Sequence, residues 1–227
     1  IKDSHEIDII RKAQNVTDKA FSHILNLIKP GAVERDLAVE LEYFMKKNGA
    51  QDLSFDTIFV SGSRSSLPHG APTNRKLQKG DFITIDFGAR VDLYCSDMTR
   101  TLCIGEPSDE QRKVYNTVLE AQKAAIEQIK PGLLGKDVDK IARDIISNSG
   151  FGKKFGHGLG HGVGIEVHEA PRLSPQGDRE LLPGMVITVE PGIYISNFGG
   201  VRIEDMVVVT KDGCENLTKS EKQLICL

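Results

Sequence analysis

Two acidic side chains, Asp86 and Glu190, close apolar runs that read alike: Gly80-Asp81-Phe82-Ile83-Thr84-Ile85-Asp86-Phe87-Gly88 and Gly184-Met185-Val186-Ile187-Thr188-Val189-Glu190-Pro191-Gly192. A second acidic site follows each, Asp97 in the first case and Glu204 or Asp205 in the second. A carboxylate at the end of an apolar strand is costly to bury without a compensating partner. Taken singly, Asp86 could be a turn cap against Gly88, a common role for Asp. Glu190 fits that role poorly, because Pro191 removes the nearest backbone donor. Their equivalent placement points instead to carboxylates gathered around metal. Glu204 and its rival Asp205 face opposite sides of a strand, so only one of them can join the group. Arg202 shares the face of Glu204 and offers the alternative of a structural ion pair.

The segment Gly156-His157-Gly158-Leu159-Gly160-His161-Gly162-Val163-Gly164-Ile165-Glu166-Val167-His168-Glu169 adds three histidines among five glycines. Glycine lets chain and ligand approach closely, and a neutral imidazole suits first-row divalent metals. The alternative is a surface loop with incidental histidines. Four clustered carboxylates carry a charge of about −4, which two divalent ions would balance and one would half balance; a water between two ions would be acidified to hydroxide. An all-nitrogen-and-oxygen set suits manganese, iron, cobalt or zinc. Thiolates are absent from the motif, against a structural zinc knuckle.

The elements that must deliver these groups are written twice. Ile28-Lys29-Pro30-Gly31 returns as Ile129-Lys130-Pro131-Gly132 and the acidic strand returns as well, at offsets of 101 and 104. The stripe Ile7, Ile10, Ala13, Val16, Ala20, Ile24, Leu27 has the helical period, with Ser4 as the expected N-cap and Pro30-Gly31 as the stop. A second helix is expected over about 34–47, then short strands at 57–60, 82–86 and 94–102. In the second half Ser108 and Gln111 form a capping box. That helix is expected to run to about 129 and another to span about 138–147. The glycine-rich stretch 152–168 has no evident first-half counterpart, and strands are expected at 185–190 and 202–210. Helix pairs alternating with antiparallel-looking strands predict an α+β fold: a curved sheet covered by helices, in one domain of pseudo-two-fold halves, about 1–104 and 105–227.

The chain has 227 residues, 39% of them hydrophobic and 27% charged, enough to bury a real core. Its formal net charge of −3 gives no electrostatic reason for nucleic acid or an anionic membrane as partner. No apolar run approaches the roughly 18 residues that span a bilayer. Four cysteines without CxxC spacing read as reduced core residues and predict a cytoplasmic setting.

Six motifs together resemble one family. They are Pro68-His69-Gly70, Ile85-Asp86-Phe87-Gly88, Ser96-Asp97-Met98-Thr99-Arg100, the His157–His168 segment, Val189-Glu190-Pro191-Gly192 and Val201-Arg202-Ile203-Glu204-Asp205. The chain resembles the catalytic domain of the pita-bread metallopeptidases, in the Xaa-Pro branch of prolidase and aminopeptidase P. The resemblance implies two divalent ions held by Asp86, Asp97, His161, Glu190 and Glu204, choosing Glu204 over Asp205. Asp97 and Glu204 would bridge the ions. It implies that His69 and His168 contact the scissile peptide, that His157 lies by the proline-side pocket, and that Arg202 supports ligands or substrate. It further implies short peptides with proline second, a homodimer, and absence of the usual N-terminal domain from these residues.

The expected activity is hydrolysis of the N-terminal Xaa-Pro bond by a metal-bridged hydroxide, with Glu190 moving the proton and His69 and His168 donating hydrogen bonds. Rival readings are methionine aminopeptidase-like cleavage, creatinase-type hydrolysis and a non-catalytic peptide-binding homologue.

Overall fold

The computed structural model describes residues 1–227. The first half runs α1 (Ser4–Ile24), α2 (Glu34–Lys47), β1 (Asp52–Leu53), β2 (Ile58–Ser61), β3 (Phe82–Phe87), β4 (Ala89–Val91), β5 (Tyr94–Cys95) and β6 (Met98–Cys103). The second runs α3 (Asp109–Gln128), α4 (Gly135–Asn148), β7 (Gly160–Gly162), β8 (Glu169–Leu173), β9 (Val186–Val189), β10 (Gly192–Ile195), β11 (Gly199–Arg202), β12 (Asp205–Val209) and β13 (Cys214–Asn216).

The helices begin where local chemistry satisfies their first N–H groups. At α1 the cap is Asp3 rather than the expected Ser4: its carboxylate accepts from Glu6 N, and Glu6 returns a bond to Asp3 N. The Ser108–Gln111 box forms as expected at α3. On α1 the side chains of Ile10, Ala13, Ala20 and Ile24 are fully buried, each large one contributing about 1.5–3 kcal/mol. Leu27, expected on the same stripe, is exposed because the helix has already ended at Ile24. No helix is long and apolar enough to cross a membrane.

Two antiparallel sheets dominate, with strand orders β2-β3-β6 and β13-β12-β9-β7-β8. In each, a central apolar strand lies between two neighbours: β3 between β2 and β6, β9 between β7 and β12. The stretch 152–168 therefore does have a counterpart, since β7 takes beside β9 the place that β2 takes beside β3. Sequence hides this because the match is in backbone pairing, while Ile58-Phe59-Val60-Ser61 and Gly160-His161-Gly162 share no side-chain pattern. Gly160 is required there: a Cβ would lie 2.1 Å from the Thr188 carbonyl oxygen. The sheets meet where Glu204 N, just before β12, donates to Thr99 O, and the contact is extended by Arg202 of the separate β10-β11 pair, which exchanges hydrogen bonds with Thr101. This seam continues one sheet into the other, and helices cover the result: α1 and α2 pack on Phe59, Ile83 and Ile85, α3 and α4 on Ile187, Val189 and Val207.

Both long expected strands are interrupted. The 94–102 stretch breaks at Ser96-Asp97, between β5 and β6, and the 202–210 stretch at Ile203-Glu204, between β11 and β12. The two breaks hold the two acidic residues that follow Asp86 and Glu190.

Candidate metal centre

All nine side chains expected at the site line one cavity of about 860 Å³: His69, Asp86, Asp97, His157, His161, His168, Glu190, Arg202 and Glu204. Asp86 comes from the end of β3, His161 from the middle of β7, and Glu190 from the residue after β9. Asp97 and Glu204 come from the two strand breaks, where the chain leaves its ladder and turns each side chain inward. Ligand atoms of Asp97, His161 and Glu204 all lie within 4.8 Å of one another, which makes one candidate metal-binding cluster. His161 Nε2 is 3.2 Å from Glu190 Oε1 and 3.7 Å from Asp97 Oδ2.

Asp205, the rival of Glu204, points away from this group. It accepts from Arg100 Nη2 at 2.8 Å and from Lys222 Nζ at 2.7 Å. Burial opposes its ionisation, yet these two cations bring it down to about 2. Arg202 does not pair with Glu204, the structural alternative the sequence left open. Its Nη2 donates to Asp86 Oδ2 at 2.5 Å and its Nε to Thr99 Oγ1 at 3.0 Å, while Thr99 Oγ1 donates to Glu204 Oε2 at 2.6 Å. One arginine thus ties an acid of the first half to one of the second.

The electrostatics are those of a site short of positive charge. Asp97 and Glu204 are held well above the ordinary carboxylate range, first by burial and then by neighbouring carboxylates. Asp86 is raised too, by burial first, with Arg202 offsetting part of it and Glu190 adding to it. Glu190 goes the other way, to about 2: burial opposes its charge, but the His161 hydrogen bond and charge prevail. His161 is raised, burial opposing and the hydrogen bond and charge of Glu190 prevailing.

Two observations bear on whether divalent ions fit. Asp86 Oδ1 is buried with no hydrogen-bond partner in the protein, a costly state unless a cation takes it. His161 Nδ1 lies 3.1 Å from Gly162 O; a carbonyl only accepts, so Nδ1 carries the proton and the neutral ring leaves Nε2 free to take a cation. The donor set fits.

The remaining histidines line the wall. His168 lies with its ring centroid 4.3 Å from that of His161, and its pKa is lowered first by burial and then by His161. His157 is likewise lowered by burial, and its Nδ1 donates to Gly158 O at 2.8 Å. Its Nε2 therefore accepts from the Tyr194 hydroxyl at 2.9 Å, and that hydroxyl accepts from Arg202 Nη1 at 2.9 Å. Arg202 Nη1 also reaches Pro68 O, next to His69. Tyr194, Thr99 and Thr188 carry functional contacts that sequence reasoning did not assign; Thr188 Oγ1 links His161 N to Glu190 Oε1. Strand alternation from Asp97 could have found Thr99; Tyr194 ends the Glu190-Pro191-Gly192-Ile193-Tyr194 run that resembles the Xaa-Pro branch, but nothing local gives its hydroxyl a partner.

Of the four cysteines, Cys95 and Cys103 are core residues as expected, but Cys214 is half-buried and Cys226 exposed; none is in a disulfide.

Residues 8–211 match metallopeptidase family M24. The chain is 51% identical over 225 residues to a Xaa-Pro dipeptidase of Pyrococcus horikoshii, covering 99% of this chain and 64% of that protein. A solved Xaa-Pro dipeptidase from Bacillus anthracis superposes with a TM-score of 0.99 at 52% identity, over 100% of this chain and 64% of the other. An X-Pro aminopeptidase from Thermotoga maritima gives a TM-score of 0.98 at 45% identity, with the same coverage. The chain thus spans just under two thirds of these relatives' length, and its fold is the pita-bread fold that its motifs resemble. On these grounds the chain belongs to metallopeptidase family M24.

Proposed function

We propose that the protein hydrolyses the peptide bond between an N-terminal residue and a following proline, in dipeptides or short peptides, and that residues 1–227 form its catalytic domain. The observation that carries this reading is the convergence of four carboxylates and His161 from both halves on one cavity, with Asp86 Oδ1 left unsatisfied. The similarity to proteins described as Xaa-Pro dipeptidase and X-Pro aminopeptidase supports the substrate class. Asp86, Asp97, His161, Glu190 and Glu204 are the proposed ligands of two divalent ions, manganese, cobalt, zinc or iron. When bound, such ions supply Lewis acidity to water and to the scissile carbonyl.

Glu190 is the proposed proton carrier, taking a proton from attacking water at a carboxylate oxygen and giving it to the departing proline nitrogen. His168 and His69 donate hydrogen bonds as charge develops on the peptide oxygen. His157 borders the proline side, its ring set by Tyr194. Arg202 is also a candidate substrate residue; its bonds to Asp86, Thr99, Tyr194 and Pro68 favour holding the ligands in place. Proline offers no N–H and has a fixed φ, so shape alone can select it. A homodimer and a cytoplasmic setting belong to the same proposal; free thiols fit a reducing compartment.

The test is turnover of Xaa-Pro, Xaa-Pro-Xaa and Xaa-Ala peptides after chelation and readdition of single metals. Selective Xaa-Pro cleavage restored by metal is expected. Release from Met-Ala but not Met-Pro would move the assignment to methionine aminopeptidase-like cleavage, and no turnover with any metal would leave a binding homologue.

A further inference from the structure

Behind the cavity, on the opposite face of β6, lies a fully buried guanidinium that the proposed reaction does not use. Arg100 is 1% exposed, and all five of its N–H donors are engaged. Nη1 donates to Thr99 O at 2.9 Å and to Glu204 O at 2.6 Å, Nη2 to Asp205 Oδ1 at 2.8 Å and to Ser220 O at 2.9 Å, and Nε to Glu221 O at 2.9 Å. Glu204 sits in the break between β11 and β12, so no regular ladder fixes its peptide. Its N–H goes to Thr99 O and its carbonyl to Arg100.

We propose that Arg100 is a positioning residue, and that the C-terminal segment 216–222 acts through it as a strap holding Glu204 at the angle the metal centre needs. Fixing the carbonyl of Glu204 sets the backbone torsions from which its carboxylate departs. The strap is anchored independently: Ser220 N and Oγ donate to Asp18 on α1, and Lys222 and Asn216 donate to Asp205 Oδ2. The segment lies beyond residues 8–211 that match the family. Lysine has the charge but not the planar fork, and cannot satisfy acceptors on both the seam and the strap.

The inference rests on Glu204 being a ligand, which Glu204→Gln tests separately. Arg100→Lys should weaken manganese or cobalt binding about tenfold or more, the scale of loss for residues that orient ligands, measured by titration calorimetry on the metal-free protein. Leu41→Ala, a core truncation on α2, should lower Tm without moving metal affinity, which separates positioning from general destabilisation. In the unmodified protein, adding manganese should slow amide exchange at residues 218–223 at least about threefold, because coupling between sites is reciprocal; this readout does not depend on any variant folding. Metal affinity of Arg100→Lys within threefold of the parent, or no added protection of the strap, overturns the proposal. If Glu204→Gln itself binds metal normally, the ligand assignment falls first.

Discussion

The two halves fasten their histidine-bearing segments to their second helices by different chemistry. In the first half Glu34, at the start of α2, is fully buried and accepts from the N–H and hydroxyl of both Ser61 and Thr73, closing the loop that carries His69. In the second half Asp139 on α4 forms a two-point pair with Arg143 and accepts from Leu159 N; Arg143 then donates to the carbonyls of Phe155 and His157. One carboxylate takes its hydrogen bonds from four neutral donors, with Arg64 Nε standing off at 3.8 Å, the other from a two-point ion pair that extends its reach. The central strands and strand breaks correspond in both halves, whereas β2 is apolar and β7 is glycine and histidine. Scaffold and carboxylate positions survive the divergence. The imidazole of the cluster comes from one half only, on a flanking strand where Gly160 leaves no room for a Cβ against the Thr188 carbonyl of the central one.

The sharpest break of this comparison is loss of an acid from the seam that both halves share. Glu204→Gln should lower metal content and turnover together, by about 10³-fold or more, with unchanged circular dichroism; metal analysis alongside initial rates checks it. Arg202→Lys comes next, since it cuts the tie from Asp86 to Thr99 and Glu204. A loss of about 10- to 100-fold in metal affinity is expected, the scale seen when a ligand's supporting contact goes.

Glu34→Gln and Asp139→Asn then compare the two fastenings directly. Glu34→Gln sets an amide NH₂ against hydroxyl and N–H donors in a fully buried place, a cost of about 2–3 kcal/mol. Asp139→Asn should cost less, about 1–2 kcal/mol, because Arg143 is partly exposed and keeps its two carbonyl partners. Urea unfolding of the metal-free proteins gives both values; the reverse order would mean that the ion pair, not the neutral network, is the stronger clasp.

The pH dependence is a smaller effect that distinguishes the empty site from the filled one. Asp97, Glu204 and His161 are all raised, so the folded empty protein holds protons that the unfolded chain releases. Stability of the empty protein should therefore fall as pH rises above the unfolded carboxylate value of about 4, and metal affinity should rise over the same range as protons leave the ligands. Asp205, at about 2, acts oppositely: its contribution is present above about pH 4 and disappears as pH falls toward 2. Thermal unfolding with and without manganese from pH 5 to 8 should converge at the acid end.

Much of this was legible in the chain because it rests on local periods. The stripe of α1, the box at Ser108 and Gln111, and the twice-written apolar strand each follow from a repeat of 3.6 or 2 residues. Both acids at strand ends, and the histidines among glycines, point to a shared metal site from residue type and spacing alone. The strand breaks were not legible, because Ser96-Asp97 and Ile203-Glu204 lie within runs whose composition is that of strand. Nor was the kinship of β2 with β7, which exists only as pairing.

By itself the sequence determined which groups could meet: the carboxylates, the imidazoles, and two scaffolds of matching length to carry them. Tertiary structure decided which partners they take. Arg202 reaches Asp86 across 116 residues and Thr99 reaches Glu204 across 105, while Asp205, one residue on from Glu204, turns to Arg100 on the other face. The physical reason is that local periodicity sets the side of a strand on which a group emerges, whereas a hydrogen bond within about 3 Å needs two distant segments packed in one register.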